Sequence, residues 1–200
     1  MIKQRPLPYQ GYLPTRPLEQ VDLLVIHCTE LPDLATAREF GEHPLYPPAG
    51  DQQASHDVRG TGNSGHYYID RNGTIEQWVD NLRIAHHVRG YNPRSIGVEL
   101  VNRGRYPEWF DSGHQLMPDP YPAEQIAALL QLVARLQADL PALKWIAGHD
   151  ELDQECIPAA NDASVLIRRK LDPGPLFPWA QVLASCRLQR FPMSLEQAPG

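Results

Sequence analysis

The chain has 200 residues, 42% hydrophobic and 21% charged, with a formal net charge of -6. That length and apolar content suit one domain around one substantial core, and the mild acidity excludes a strong electrostatic pull toward nucleic acid or anionic lipid. Apolar stretches such as Leu23 to Ile26 and Ile126 to Val133 fall far short of the roughly 20 residues that cross a bilayer, and the start, Met1-Ile2-Lys3-Gln4-Arg5-Pro6, lacks the apolar region of a secretory signal. The expectation is a soluble, cytoplasmic protein with neither nucleic acid nor membrane as a partner. Cys28, Cys156 and Cys186 are an odd set without a Cys-x-x-Cys pair, which argues against a disulfide framework and against a thiolate metal cluster.

In chain order, residues 1–17 hold four prolines and no periodic pattern, so they read as an extended N-terminal arm lying over the domain. Leu23 to Cys28 is apolar on both faces and predicts a central strand with His27 near its C-terminal end. Cys28 points to the opposite face from His27 and reads as core filling. Asp33 to Glu42 predicts a helix, and Pro44 to Gly65 a long loop of the kind that forms functional rims.

Gly65 to Asp70 and Thr74 to Val79 flank Arg71-Asn72-Gly73, a strong hairpin signal, and a meander of strands is expected after it. Ile96 to Val101 alternates, with Ile96, Val98 and Leu100 on one face and Glu99 projecting from the other as an exposed carboxylate. Trp109 to Pro122 predicts a second loop. Ala123 to Leu140 predicts a helix with Ile126, Leu129, Leu130, Val133, Leu136 and Leu140 on its apolar face, stopped by Pro141. Lys144 to Ala147 is a short strand delivering His149, and Pro178 to Arg187 is a last helix. Residues 189–200 read as a tail, leaving 18–188 as the domain.

His27 and His149 each end a short strand, and Asp172 lies in a loop fixed by Pro173, Gly174 and Pro175. Two imidazoles and a carboxylate suit zinc and leave a fourth tetrahedral position free. An isolated histidine at a strand end is more often a hydrogen-bonded structural residue, so the local sequence has to decide.

Five segments do so. They are Val25-Ile26-His27-Cys28-Thr29; Ser64-Gly65-His66-Tyr67-Tyr68-Ile69-Asp70-Arg71-Asn72-Gly73; Ala85-His86-His87; Asn92-Pro93-Arg94-Ser95-Ile96-Gly97-Val98-Glu99-Leu100-Val101-Asn102; and Gly148-His149-Asp150 together with Arg169-Lys170-Leu171-Asp172-Pro173-Gly174-Pro175. In this order they resemble the zinc-dependent N-acetylmuramoyl-L-alanine amidases of the AmpD type, the type 2 amidases, which are related to peptidoglycan recognition proteins. The resemblance runs from about Val21 to Ala184.

It implies a single α/β domain with a central mixed sheet flanked by helices, and a zinc cleft at one rim bordered by 44–65 and 109–122. It further implies that His27, His149 and Asp172 bind zinc, that Glu99 is the catalytic acid/base, and that Lys170 stabilises the developing oxyanion. The implied reaction is hydrolysis of the amide between N-acetylmuramic acid, or its 1,6-anhydro form, and L-alanine of the stem peptide, with a muropeptide or peptidoglycan as partner. His66, His87 and Asn92 are the candidate substrate-binding residues, each with a structural hydrogen bond or loop contact as the competing role. Asp150 and Glu151 are candidates for orienting His149.

Three departures from the family pattern stand out. The segment from Glu151 to Ile167 is longer than the family's connection, His86-His87 offers two candidates where one histidine is expected, with His87 favoured, and Leu171 replaces a usually polar residue. A module that binds peptidoglycan without cutting it is the alternative from another class. A zinc peptidase is disfavoured by the absence of His-Glu-x-x-His.

Overall fold

A strand with side chains buried on both faces needs a strand on each side and cover above and below. Leu23–Cys28, six residues all buried, meets that demand. The computed structural model describes residues 1–45 and 60–193. Its strands are β1 (Ile2–Gln4), β2 (Leu23–Cys28), β3 (Tyr67–Ile69), β4 (Ile75–Gln77), β5 (Ser95–Leu100), β6 (Trp145–Gly148), β7 (Cys156–Pro158), β8 (Leu166–Arg168) and β9 (Gln189–Arg190). The helices are α1 (Leu34–Glu42), α2 (Ala123–Asp139), the single turn α3 (His149–Leu152) and α4 (Trp179–Ala184). Seven strands form one sheet in the order β1-β4-β3-β5-β2-β6-β9, and β7 pairs with β8 in a separate hairpin. Within the large sheet only β3 and β4 are antiparallel. The expected α/β class and mixed sheet are therefore present.

The even-numbered side chains of β2 and β5, Leu24, Ile26, Ile96, Val98 and Leu100, pack with Ile126, Leu129, Leu132, Val133 and Leu136 of α2 in the main core. Gln125 of the same helix is fully buried, and its amide donates to the carbonyls of Ile69 and Val101 at 2.9 and 3.0 Å, at the ends of β3 and β5. The odd-numbered side chains face the other way. Leu23 and Val25 pack there with Val88 and Ala147, and His27 and Glu99 continue the same face toward the carboxyl ends of the strands.

α1 starts where expected because the Asp33 carboxylate accepts from Thr36 N–H at 2.7 Å. The Asn72-Gly73 turn closes the β3–β4 hairpin, with Gly73 at φ +82°. The expected meander after that hairpin is not formed. β5 lies parallel to β3 and pairs along its other edge with β2, so it runs through the interior of the sheet.

The two chain ends also differ from expectation. Ile2–Gln4 of the arm pairs in parallel with β4, hydrogen bonds from Arg5 and Leu7 continue the pairing, and Leu7, Tyr9 and Leu13 are at most 3% exposed. Residues 189–190 of the expected tail pair with β6, and α4 spans Trp179–Ala184, shorter than the predicted 178–187. The segment 151–167, expected as an insertion, supplies the β7–β8 hairpin. Most of the expected rim loop 44–65 lies outside the described residues. Among the described residues no helix is long and apolar enough to cross a membrane.

Leu129, fully buried beneath the sheet, gives a direct test of this core. Leu129→Ala is expected to cost about 2–5 kcal/mol through lost transfer energy and the cavity left behind. In urea this reads as a lower unfolding midpoint with an unchanged slope; an unchanged midpoint would mean that α2 does not pack here.

Candidate active site

Three elements deliver three donor atoms to one point. His27 is the penultimate residue of β2, His149 opens α3 directly after β6, and Asp172 lies in the loop before α4. His27 Nδ1 stands 3.0 Å from His149 Nδ1, and Asp172 Oδ2 is 3.1 Å from each. All three residues are buried, at 2%, 4% and 2% exposure.

A triangle of this size fits a tetrahedral cation. Donors about 2.0–2.1 Å from zinc stand roughly 3.3 Å from one another at tetrahedral angles. Protons alone serve the triangle poorly, since two ring nitrogens face each other across it and Asp172 Oδ1 is buried without a hydrogen-bond partner. Burial, and then the neighbouring His149, push His27 down to about 4, so it is neutral and its lone pair is available. Burial works to raise Asp172, but His149 and the close approach of both imidazoles outweigh it and hold the carboxyl well below its usual range. The set can hold a metal ion.

Glu99 is aligned with His27 across the β2–β5 pairing and with Tyr68 across β3–β5. Its Oε1 is 3.9 Å from His27 Nδ1, and its side chain is 14% exposed. The exposed carboxylate expected from the alternation of β5 is thus enclosed. The reason is local: Gly65 passes so close that a Cβ there would stand 2.8 Å from Glu99 Cγ. Burial, then the Asp172 charge, push Glu99 up to about 8, partly offset by Lys170. A cation in the triangle would favour the ionised carboxylate.

A cavity of about 820 Å³ opens over these residues, with Lys170, Arg169, Arg89, Trp109 and Phe110 in its wall. Both expected rims contribute to it, the first through Leu45, Asn63 and Ser64 and the second through Trp109 and Phe110; farther along the second loop Tyr121 donates to the Pro173 carbonyl at 2.6 Å. Asp150 and Glu151 orient the turn rather than the His149 ring. Asp150 N–H donates to the Asp172 carbonyl at 2.9 Å, and Glu151 accepts from Gly148 N–H at 2.8 Å.

Residues 17–175 match the family model described as N-acetylmuramoyl-L-alanine amidase. The chain belongs to this amidase family. It is 36% identical over 134 residues to the N-acetylmuramoyl-L-alanine amidase AmiD of Escherichia coli (strain K12), covering 60% of this chain and 43% of AmiD. It is 32% identical over 91 residues to the endolysin of Enterobacteria phage T3, covering 46% of this chain and 56% of the endolysin. The chain thus spans about half the length of these curated relatives.

Among solved structures, AmiD from E. coli in complex with anhydro-N-acetylmuramic acid-L-Ala-D-gamma-Glu-L-Lys superposes with a TM-score of 0.59 at 25% identity, over 85% of this chain and 58% of that one. An AmpD structure gives 0.57 at 25% identity over 92% and 94%.

Within this amidase-family cleft, the three candidate substrate-binding residues all bond to the protein itself, and His87 and Asn92 also line the cavity. His66 is fully buried. Its Nδ1 accepts from Gly97 N–H at 3.0 Å, its Nε2 lies 3.1 Å from the Arg83 carbonyl, and it is not among the cavity residues. Asn92 reaches the cavity wall, but its side-chain oxygen accepts from the backbone N–H groups of His87 and Val88 at 3.0 and 2.8 Å.

His87 serves His27. Ser95 Oγ donates to the Tyr91 carbonyl at 2.8 Å and so accepts from His87 Nε2 at 3.2 Å. That leaves His87 Nδ1 as acceptor for His27 Nε2–H at 3.0 Å, which fixes the tautomer whose Nδ1 lone pair faces the triangle. Gly97 makes this possible, because a Cβ there would come within 2.7 Å of the His87 ring.

Sequence reasoning missed Arg16. Buried in the arm, it donates to the carbonyls of Asn92 and Ser95 at 2.7 Å each and ties down the segment that carries His87. A lone arginine in a proline-rich arm carries no local signal of that role.

His87→Ala is expected to weaken metal binding about 10- to 100-fold, the usual effect of losing an outer partner of a ligating histidine. Chelator competition would read the change, with circular dichroism as the control for folding. Unchanged affinity would mean that the ring does not orient His27.

Proposed function

We propose that the protein hydrolyses the amide between N-acetylmuramic acid, in its plain or 1,6-anhydro form, and L-alanine of the peptidoglycan stem peptide, with zinc held by His27, His149 and Asp172. The observation that carries this reading is the triangle of donors, 3.0–3.1 Å on a side, with the Glu99 carboxylate 3.9 Å from its His27 corner. The donor chemistry, two imidazole nitrogens and one carboxylate oxygen, suits zinc with a position left open.

Zinc bound there supplies Lewis acidity, polarising the scissile carbonyl and easing ionisation of water near neutral pH. Glu99 takes the proton of the attacking water and gives it to the leaving amine nitrogen as the carbon–nitrogen bond breaks. Lys170 places a compact positive charge where the carbonyl oxygen becomes negative. The products are the lactyl carboxylate on the sugar and a peptide with a free L-alanine amine.

The 1,6-anhydro substrate is favoured by the ligand in the AmiD complex, whose fold this chain shares. The cavity, about 820 Å³, is in the range of pockets that enclose a ligand of that size.

Mass spectrometry of products from 1,6-anhydro-N-acetylmuramoyl tripeptide tests the reading. The expected result is free anhydro-sugar and intact tripeptide, lost after chelation and regained with zinc. Cleavage that leaves L-alanine on the sugar would identify a peptidase instead, and zinc-loaded protein that binds the compound without cutting it would identify a recognition module.

Two variants separate the roles. Glu99→Gln is expected to retain zinc while turnover falls by about 10²- to 10⁴-fold, the span of general acid–base catalysis; loss of zinc with turnover would make Glu99 a ligand. Asp172→Ala is expected to lose zinc, and full occupancy at the wild-type rate would remove Asp172 from the site.

A further inference from the structure

Arg105 is 1% exposed, and each of its five side-chain N–H groups has an acceptor. Nε donates to Glu30 Oε1 at 2.7 Å and Nη2 to Glu30 Oε2 at 2.8 Å, a bidentate pair. Nη1 donates to Gln115 Oε1 at 3.1 Å and to the Arg168 carbonyl at 3.2 Å, and Nη2 donates to the Arg169 carbonyl at 3.2 Å.

Glu30 follows His27 by three residues and sits at φ +50°, a conformation uncommon outside glycine. Its carbonyl accepts from Trp109 Nε1 at 2.9 Å, and its Oε1 also accepts from Arg105 N–H at 3.1 Å. Gly104, at φ +52°, leaves the space, since a Cβ there would stand 2.7 Å from Glu30 Cγ.

The carbonyls that Arg105 grips belong to Arg168 and Arg169, which directly precede Lys170 in the segment that ends at Asp172. Apart from the approach of Asp172 to His27, the backbone contacts of this segment lead elsewhere. Arg169 N–H donates to the Glu155 carbonyl, and the Asp172 carbonyl accepts from Asp150. Arg105 thus joins the segment directly to the chain leaving β2. A buried ion pair seldom adds net stability over apolar packing, but the planar guanidinium holds its acceptors in fixed relative positions.

We propose that Arg105 and Glu30 are positioning residues, which register the 168–172 segment against the end of β2 so that Asp172 meets His27 and Lys170 faces the cavity. This inference rests on the metal-site reading above. It requires the pair to govern metal binding as well as folding.

The test measures zinc affinity by chelator competition with the metal alone, beside steady-state kinetics and circular dichroism, for Arg105→Lys and for the double variant Glu30→Met with Arg105→Met. Lysine keeps the charge but loses the fork, and the double variant replaces the pair by apolar volume. Both are expected to bind zinc about 10- to 100-fold more weakly, the range for lost outer-shell support, with kcat reduced and KM nearly unchanged.

Folded variants that bind zinc as the wild type does would overturn the proposal and leave the pair a stability element. Failure of both to fold would make it a folding element and equally overturn the proposal. Wild-type protein that takes up no zinc would remove the metal-site reading itself, and this inference with it.

Discussion

The in-register parallel pairing of β2 with β5, which sets His27 directly beside Glu99, is the constraint on which the cleft depends. Side chains alternate with a period of two along a strand, so a slip of one residue would send either one into the α2 core and bring an apolar neighbour to the cleft. That slip is opposed by the apolar residues on the α2 side of the same strands, Leu24, Ile26, Ile96, Val98 and Leu100, which are fully buried. The main core therefore sets the register of the site as well as the stability of the fold. Parallel strands also end together, and β2, β5 and β6 open their carboxyl ends on the same rim, where open α/β sheets bind ligands.

The polar groups gathered on that rim are costly without an occupant. Histidines 27, 149 and 87 lie within one connected set of contacts, with a buried carboxylate and a second carboxylate beside them. In a low-dielectric enclosure such groups are stable only when each lone pair and proton is matched. The outer groups are matched: the chain from His27 through His87 and Ser95 ends on the Tyr91 carbonyl. The triangle itself is mismatched, since three lone pairs converge there and Asp172 Oδ1 lacks a partner. A divalent cation resolves that mismatch at one point, which is why the donor set speaks for a metal more strongly than any one histidine does.

How much of this was legible in the sequence depends on whether a residue's role leaves a local pattern. β2, the β3–β4 hairpin, β5 and α2 carry period-two, turn and helical signals that act over a few neighbours, and each was readable. The donors His27, His149 and Asp172 were readable only through their surrounding motifs, because the contact between β2 and the loop before α4 is purely tertiary. β1 and β9 are short edge strands, Ile2-Lys3-Gln4 and Gln189-Arg190, whose polar residues give no strand pattern. The roles of His66, His87 and Asn92 could not be assigned from type, since a histidine facing substrate and one bonded to backbone look alike in a sequence. Only the distances, with Gly97 clearing room for His87, separate the two.

Arg16 and Arg105 extend the same point from ligands to supports. Each is a buried arginine from a segment without periodic pattern, and each donates to backbone carbonyls far away in the chain, at Asn92 and Ser95 or at Arg168 and Arg169. Carbonyls are offered by every residue, so the receiving segments need no particular side chain and leave no mark in the sequence. Side-chain-to-backbone bonds of this kind fix the ends of short elements and the irregular backbone beside them. Two of the loops bearing site residues, 80–94 with His87 and 168–173 with Asp172, are held in this way, one from the arm and one from the chain beyond β5. The precision of the site thus depends on both regular strands and buried cations that fix irregular backbone, and only the strands follow from the pattern of the sequence.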